Sequence, residues 1–188
     1  VTDLNGEMPP GSASVSVGYP SLLLTTTVPD QVNLHLDTAF RIIATNLGGE
    51  PTSSEVNVVL ERLKQPDRAF ISRLWQRPDL IINTRDEFHA DFPYDVYGDE
   101  NNPMTWPVEK TVFSKTINTG TDSAILLHSN SGTYKLTLTA TDPFGQRVEK
   151  VICFTAFDPD EKEMPVRAME WFVPLKTSGE PGETASFL

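Results

Sequence analysis

Gly132-Thr133-Tyr134-Lys135-Leu136-Thr137-Leu138-Thr139-Ala140-Thr141-Asp142-Pro143-Phe144-Gly145-Gln146-Arg147-Val148-Glu149-Lys150-Val151-Ile152-Cys153-Phe154-Thr155-Ala156-Phe157 is the stretch that decides the fold. Tyr134, Leu136, Leu138 and Ala140 alternate with Lys135, Thr137, Thr139 and Thr141. That period of two predicts a strand with one face on a core and the other in water. Asp142-Pro143-Phe144-Gly145 supplies a turn, since proline presets φ early and glycine accepts φ > 0 late. Val148 to Phe157, rich in β-branched and aromatic residues, predicts a second strand. Strands joined this tightly are antiparallel neighbours, so the stretch is a β-hairpin.

Working outward, further short strands are expected at Ser21 to Val28, around Val32, Leu34 and Leu36, and over Ala39 to Asn46. Others are expected at Val56 to Leu63, Val108 to Ile117 and Ser123 to Leu127. Phe40, Ile42 and Ala44 are set against Arg41, Ile43 and Thr45, and Val56, Val58 and Leu60 share one face. Val28-Pro29-Asp30 and Gly48-Gly49-Glu50-Pro51 punctuate them. Short strands at this spacing argue an all-β sandwich or barrel.

Residues 65–107 break the rhythm. Trp75 and Trp106 lie near the ends of this insertion, with Phe70, Phe88, Phe92, Tyr94 and Tyr97 between. Thr84-Arg85-Asp86-Glu87 has capping-box spacing and Pro93 stops what Thr84 starts, which predicts one short helix over Arg85 to Asp91. A disordered segment would be poor in aromatics, so the insertion is expected to pack. Connections this long in compact domains tend to be functional or separately packed. Trp75, Phe88, Phe92, Tyr94, Tyr97 and Trp106 form the candidate binding surface. They have two readings: stacking platforms for sugar rings, or the small core that folds the insertion down on the sandwich. Arg73, Arg77 and Arg85 are placed to tie it down by ion pairs.

The 188 residues suffice for one large domain, or one domain with pieces of its neighbours. Val1-Thr2-Asp3-Leu4-Asn5-Gly6-Glu7 parallels Ala140-Thr141-Asp142-Pro143-Phe144-Gly145-Gln146, with Asp3 and Asp142, like Gly6 and Gly145, 139 positions apart. Each turn precedes a strand, and self-similarity at a fixed period marks tandem modules. The expected division is therefore 1–19 as the closing strand region of a preceding module, 20–158 as the central sandwich with its insertion, and 159–188 as a linker with the first strands of a following module. Asp158 to Glu163 is the charged linker, with no apolar anchor of its own. Met169 to Leu175 and Thr184 to Leu188 are the strands after it. The chain reads as a piece of a longer polypeptide, so a missing leader at Val1 does not bear on export.

A net charge of -11 argues against nucleic acid or an anionic membrane as partner. No apolar run approaches the roughly 20 residues of a membrane helix. A single cysteine, Cys153, excludes an internal disulfide. Mid-strand between Ile152 and Phe154, it is expected to be buried and inert.

Sites of chemistry are sparse. His35, His89 and His128 fall in three separate elements without metal-ligand spacing, and His35, between inward Leu34 and Leu36, should face solvent. Asp91, Asp95, Asp99 and Glu100 crowd one loop but miss the EF-hand spacing, so a solvated acidic loop is expected there. No carboxylate pair is singled out for glycoside hydrolysis. Nucleophile elbow, phosphate loop and dinucleotide fingerprint are absent. No catalytic residue, cofactor or metal is assigned.

The hairpin from Gly132-Thr133-Tyr134 through Asp142 and Gly145 resembles the closing hairpin of macroglobulin-type domains in the alpha-2-macroglobulin family. Pro181-Gly182-Glu183, leading into a strand, resembles the opening of the next such domain. Trp75-Gln76-Arg77-Pro78-Asp79, Glu87-Phe88, Phe92-Pro93 and Tyr97 are similar to bacterial versions. The resemblance implies an immunoglobulin-like, macroglobulin-type antiparallel β-sandwich in a very large envelope or secreted protein of tandem seven-stranded modules. It also implies protease trapping, by cleavage of a bait segment and often capture by a thioester. The thioester motif Cys-Gly-Glu-Gln is absent, since Phe154, Thr155 and Ala156 follow Cys153, and no bait-like run is evident. The resemblance thus implies a scaffold role, with neighbouring domains of the same chain as partners and proteases engaged only by the parent. The runner-up is a surface module that binds glycan or a protein through the insertion. A third class is the accessory domain of a glycosidase or peptidase.

Overall fold

A computed structural model describes residues 20–36, 39–74, 76, 79–80, 82–176 and 178–188. Residues 1–19, and with them the first copy of the repeated turn, lie outside the described residues, as do Trp75 and Arg77. The strands are β1 (Leu22–Thr26), β2 (Gln31–Asn33), β3 (Ala39–Asn46), β4 (Glu55–Leu63), β5 (Val108–Asn118), β6 (Ala124–Leu126), β7 (Gly132–Thr141) and β8 (Arg147–Phe157). One helix, α1 (Arg85–Asp91), and a short 3-10 helix at Pro103–Thr105 lie between β4 and β5.

Two sheets result. One has the order β1-β3-β6 and the other β2-β8-β7-β4-β5. They face each other across one apolar core, which makes the fold an all-β sandwich. Leu22, Leu24, Phe40, Ile42, Ala44 and Ile125 come from the first sheet. Val56, Val58, Leu60, Leu136, Leu138 and Ala140 come from the second. Each of the Leu, Ile, Val and Phe side chains among them contributes about 1.5–3 kcal/mol by leaving water. The inward sets are those that the period of two picks out in β3, β4 and β7.

The β7–β8 hairpin has the longest pairing register among the described strands. All ten residues of β7 pair antiparallel with β8, from Gly132↔Ala156 to Thr141↔Arg147. Tyr134 is buried, stacks on Phe154 at 5.6 Å between centroids and donates its hydroxyl to the Asn130 carbonyl at 2.6 Å. A tyrosine returning its hydroxyl to upstream backbone at this corner is a feature of immunoglobulin-like sandwiches. It solves the problem of placing a phenol in an apolar core.

Asp142 turns the hairpin and joins the sheets. Its Oδ1 accepts from the Phe144 and Gln146 amides, while Oδ2 accepts from the amide and hydroxyl of Ser21, 121 positions away. The start of β1 is thus pinned to the far sheet. Gly145 has φ +84, the left-handed region that the turn needs.

Three expectations change. The sheets are not wholly antiparallel, because β2 runs parallel to β8 with Val32 opposite Ala156. Thr27 still bonds to Arg41 of β3, whereas Asp30 already accepts from Thr155 of β8, so the chain changes sheet at Pro29. The alternation expected through Leu36 ends at Asn33, and Leu36 lies exposed in the turn that follows. With β1 and β2 divided in this way, eight strands rather than seven are present among the described residues.

The third concerns Cys153. In β8 it is Phe154 and Ala156 that face the core, so Cys153 falls on the outer face opposite Lys135 and is only half-buried. Its Sγ lies 3.4 Å from the Met104 thioether of the 3-10 helix. Burial pushes the thiol pKa up, with Lys135 opposing.

Beyond β8 the charged residues 160–163 are exposed, but the chain then returns to the sandwich. Pro165 and Val173 are buried, and Trp171 meets Phe157 edge-on at 6.3 Å. Arg167 reaches the Gln65 side chain and the Pro66 carbonyl, tying this segment to the base of the insertion. Val173 and Leu175 pair with Leu188 and Ser186, so the two stretches expected to be strands meet each other in a short antiparallel contact.

Candidate functional site

The insertion leaves the sandwich where β4 bends. Irregular register at Leu60/Glu61 and Arg62/Leu63 twists that end of the strand. A hydrogen bond from the Lys64 amide to the Pro107 carbonyl at 2.8 Å closes the base. Inside, the Ile71 amide bonds to Tyr94 O at 2.7 Å, and Arg68 donates to Pro93 O at 3.0 Å. Arg73 donates to the carbonyls of both Val96 and Tyr97. This spends the Arg73 guanidinium on backbone carbonyls rather than on the carboxylate partner expected of it.

Helix α1 occupies the predicted span. Thr84 accepts from the Glu87 amide, and Glu87 accepts from the Thr84 amide, which completes the capping box. Bonds from the Thr84 backbone and hydroxyl hold the Glu87 carboxyl below its ordinary range. The helix has no fully buried residue, so the cap and the packing of Phe88 and His89 hold it.

Phe88 is the hub of the aromatic group, with centroids 5.4 Å from Phe92, 5.5 Å from Tyr97 and 5.7 Å from His89. Phe70 adds a contact to His89 at 5.8 Å. The Tyr97 hydroxyl donates to Asn83 O at 3.0 Å, and the Trp106 indole N–H donates to Glu100 O at 2.7 Å. Phe88 and Tyr97 therefore centre the insertion's own small core, and Trp106 is held to the Glu100 backbone beside it. Phe92 and Tyr94 stay about half exposed. The structure brings Phe88, Phe92 and Tyr97 together and sets Trp106 apart beside Glu100. Trp75 lies outside the described residues.

Glu100 corrects the expectation of a solvated acidic loop. Its side chain is 10% exposed and sits 3.0 Å from Arg85 and 3.6 Å from His89. Burial opposes its ionisation, but the Glu100 and Gly98 amides and the charges of Arg85 and His89 outweigh that and lower its pKa. Asp91, Asp95, Asp99 and Glu100 do not converge as metal donors among the described residues.

Two clefts flank this core. One, of about 680 Å³, runs between Lys64, Arg68, Phe70, Tyr97, Asp99 and Trp106. The other, of about 500 Å³, is more apolar, with Ile71, Leu74, Ile82, Phe88, Phe92 and Val96 in its wall.

A separate group forms at the opposite sheet edge. His35 Nε2 lies 2.9 Å from Asp158 Oδ1 and 3.7 Å from Asp160 Oδ2. As expected, His35 faces outward. Its partners stand more than 120 positions away, beyond the reach of any spacing rule. No protein-family model matches the chain, and neither curated proteins nor solved structures give a match. No helix among the described residues is long and apolar enough to cross a membrane.

Proposed function

We propose that this chain is a non-catalytic scaffold module of a larger envelope or secreted protein of the alpha-2-macroglobulin type, one that traps proteases. The observation that carries the scaffold reading is that the polar and aromatic groups most suggestive of a site are spent internally. Tyr134 bonds to Asn130, Asp142 to Ser21, Tyr97 to Asn83 and Trp106 to Glu100. The repeated turn, 139 positions apart, supports a tandem arrangement with neighbouring domains as partners. The macroglobulin identity and the protease target rest on the resemblance of the hairpin and of Pro181-Gly182-Glu183.

A second reading has its own observation. The cleft beside Trp106, Tyr97 and Phe70 combines aromatic walls with Arg68, Lys64 and Asp99, the mixture that a glycan or a polar peptide loop would engage. A glycan array and a pull-down with the wild-type chain, Trp75→Ala and Trp106→Ala separate the two. The scaffold reading expects no saturable binding. Saturable binding that Trp106→Ala abolishes, at an unchanged urea midpoint, would overturn it.

A further inference from the structure

We propose that His35, Asp158 and Asp160 form a binding site for a first-row transition dication, best filled by Zn²⁺, that clamps β2 to β8 where the chain leaves the sandwich. The three donor atoms lie within 4.8 Å of one another. Zinc bonds to imidazole nitrogen and carboxylate oxygen at about 2.0–2.2 Å, so neighbouring donors of a tetrahedral site stand about 3.4 Å apart. The distances of 2.9 and 3.7 Å from His35 Nε2 bracket that value. An entering ion has only to open the His35–Asp158 gap by about half an ångström.

The donor chemistry selects the ion. A neutral imidazole with two carboxylates offsets the charge of a dication. Imidazole suits zinc, nickel and copper, whereas magnesium and calcium call for all-oxygen sets. A fourth position stays open to water, because His35 and Asp160 side chains are 46% and 85% exposed. The third donor distinguishes the group from an ordinary surface His–Asp pair. Asp160 is almost wholly in solvent, yet its carboxylate lies beside the same imidazole nitrogen.

The fold delivers these donors. The Leu34 amide bonds to Phe157 O at 2.9 Å, so β2 and β8 end side by side. The Asp158 amide bonds to Ser131 Oγ, and the Asp160 amide bonds at 2.9 Å to the same Asp158 Oδ1 that faces His35, which fixes how that carboxylate is turned. Strand β2 has three residues and forms the parallel contact of the sheet. An ion at this point would fasten that short strand and fix the direction in which residues 158–160 leave the sandwich. The inference concerns the sandwich itself and holds whether or not the chain is a module of a larger protein.

The test uses the 188-residue chain, freed of metal with a chelator, in a buffer of pH 7.5. Thermal unfolding and titration calorimetry are run with zinc chloride alone, then with calcium and magnesium chlorides. The expected result is one zinc ion per chain and a midpoint rise of at least about 3 °C, with no rise from calcium or magnesium. His35→Gln and Asp160→Asn should each abolish the rise. Both positions are solvent-accessible, so the folded chain survives the change. Glu163→Gln, exposed and off the site, should keep it. Absence of a zinc-dependent rise, a rise retained in both site variants, or an equal effect from calcium would overturn the proposal.

Discussion

Asp142 directs both carboxylate oxygens into the molecule, and its ionised form is the one the fold requires. The bond from the Ser21 amide, with those from Gln146, the Ser21 hydroxyl and Phe144, holds its pKa below the ordinary value against the cost of burial. A carboxyl lowered by folding stabilises the native state above its unfolded pKa, and that stabilisation is lost as pH falls through the folded pKa. The urea midpoint of the wild-type chain should thus drop as pH is taken from about 5 down towards 3. Asp142→Asn should start lower at pH 7 and fall less steeply. A parallel pH dependence in the two proteins would contradict this role. Gly145 is the simpler case. No atom crowds the place a Cβ would take, so Gly145→Val costs only the strain of φ +84, about 1–3 kcal/mol by urea titration. Tyr134→Phe keeps the stack on Phe154 and loses the bond to Asn130, which should cost about 0.5–1.5 kcal/mol.

At the scale of elements, legibility followed locality. The strands β3, β4 and β7 were readable because alternation follows burial, and β8 because its β-branched and aromatic residues mark it. Helix α1 was readable because the Thr84–Glu87 box is complete within four residues. Thr84→Ala should cost about 1 kcal/mol of local stability, seen as faster hydrogen exchange in Phe88 to Asp91 with the β7 amides unaffected. What could not be read depended on partners remote in sequence. The Pro29 crossover puts β2 parallel to β8, and nothing in Gln31 to Asn33 announces it. Glu100 looked like one more surface acid until Arg85 and His89 enclosed it. Cys153 looked buried because its neighbours are apolar, but strand parity turned it outward beneath Met104. The His35, Asp158 and Asp160 group needs both ends of the sandwich in place before it exists.

Over the whole molecule, the hairpin that closes the sandwich also anchors its opening strand through Ser21. The insertion is a second, smaller packing unit joined at Lys64 and Pro107, and Arg167 braces it from the C-terminal side. On the proposed scaffold reading the aromatics of the insertion serve stability, whereas a binding module would leave them replaceable. The most direct measurement is a urea titration of Trp106→Ala beside the wild type, followed by tryptophan fluorescence and circular dichroism. The account predicts a loss of about 1–3 kcal/mol, from removal of a half-buried indole and its bond to Glu100. An unchanged midpoint, with saturable glycan binding present in the wild type and absent in the variant, would contradict it.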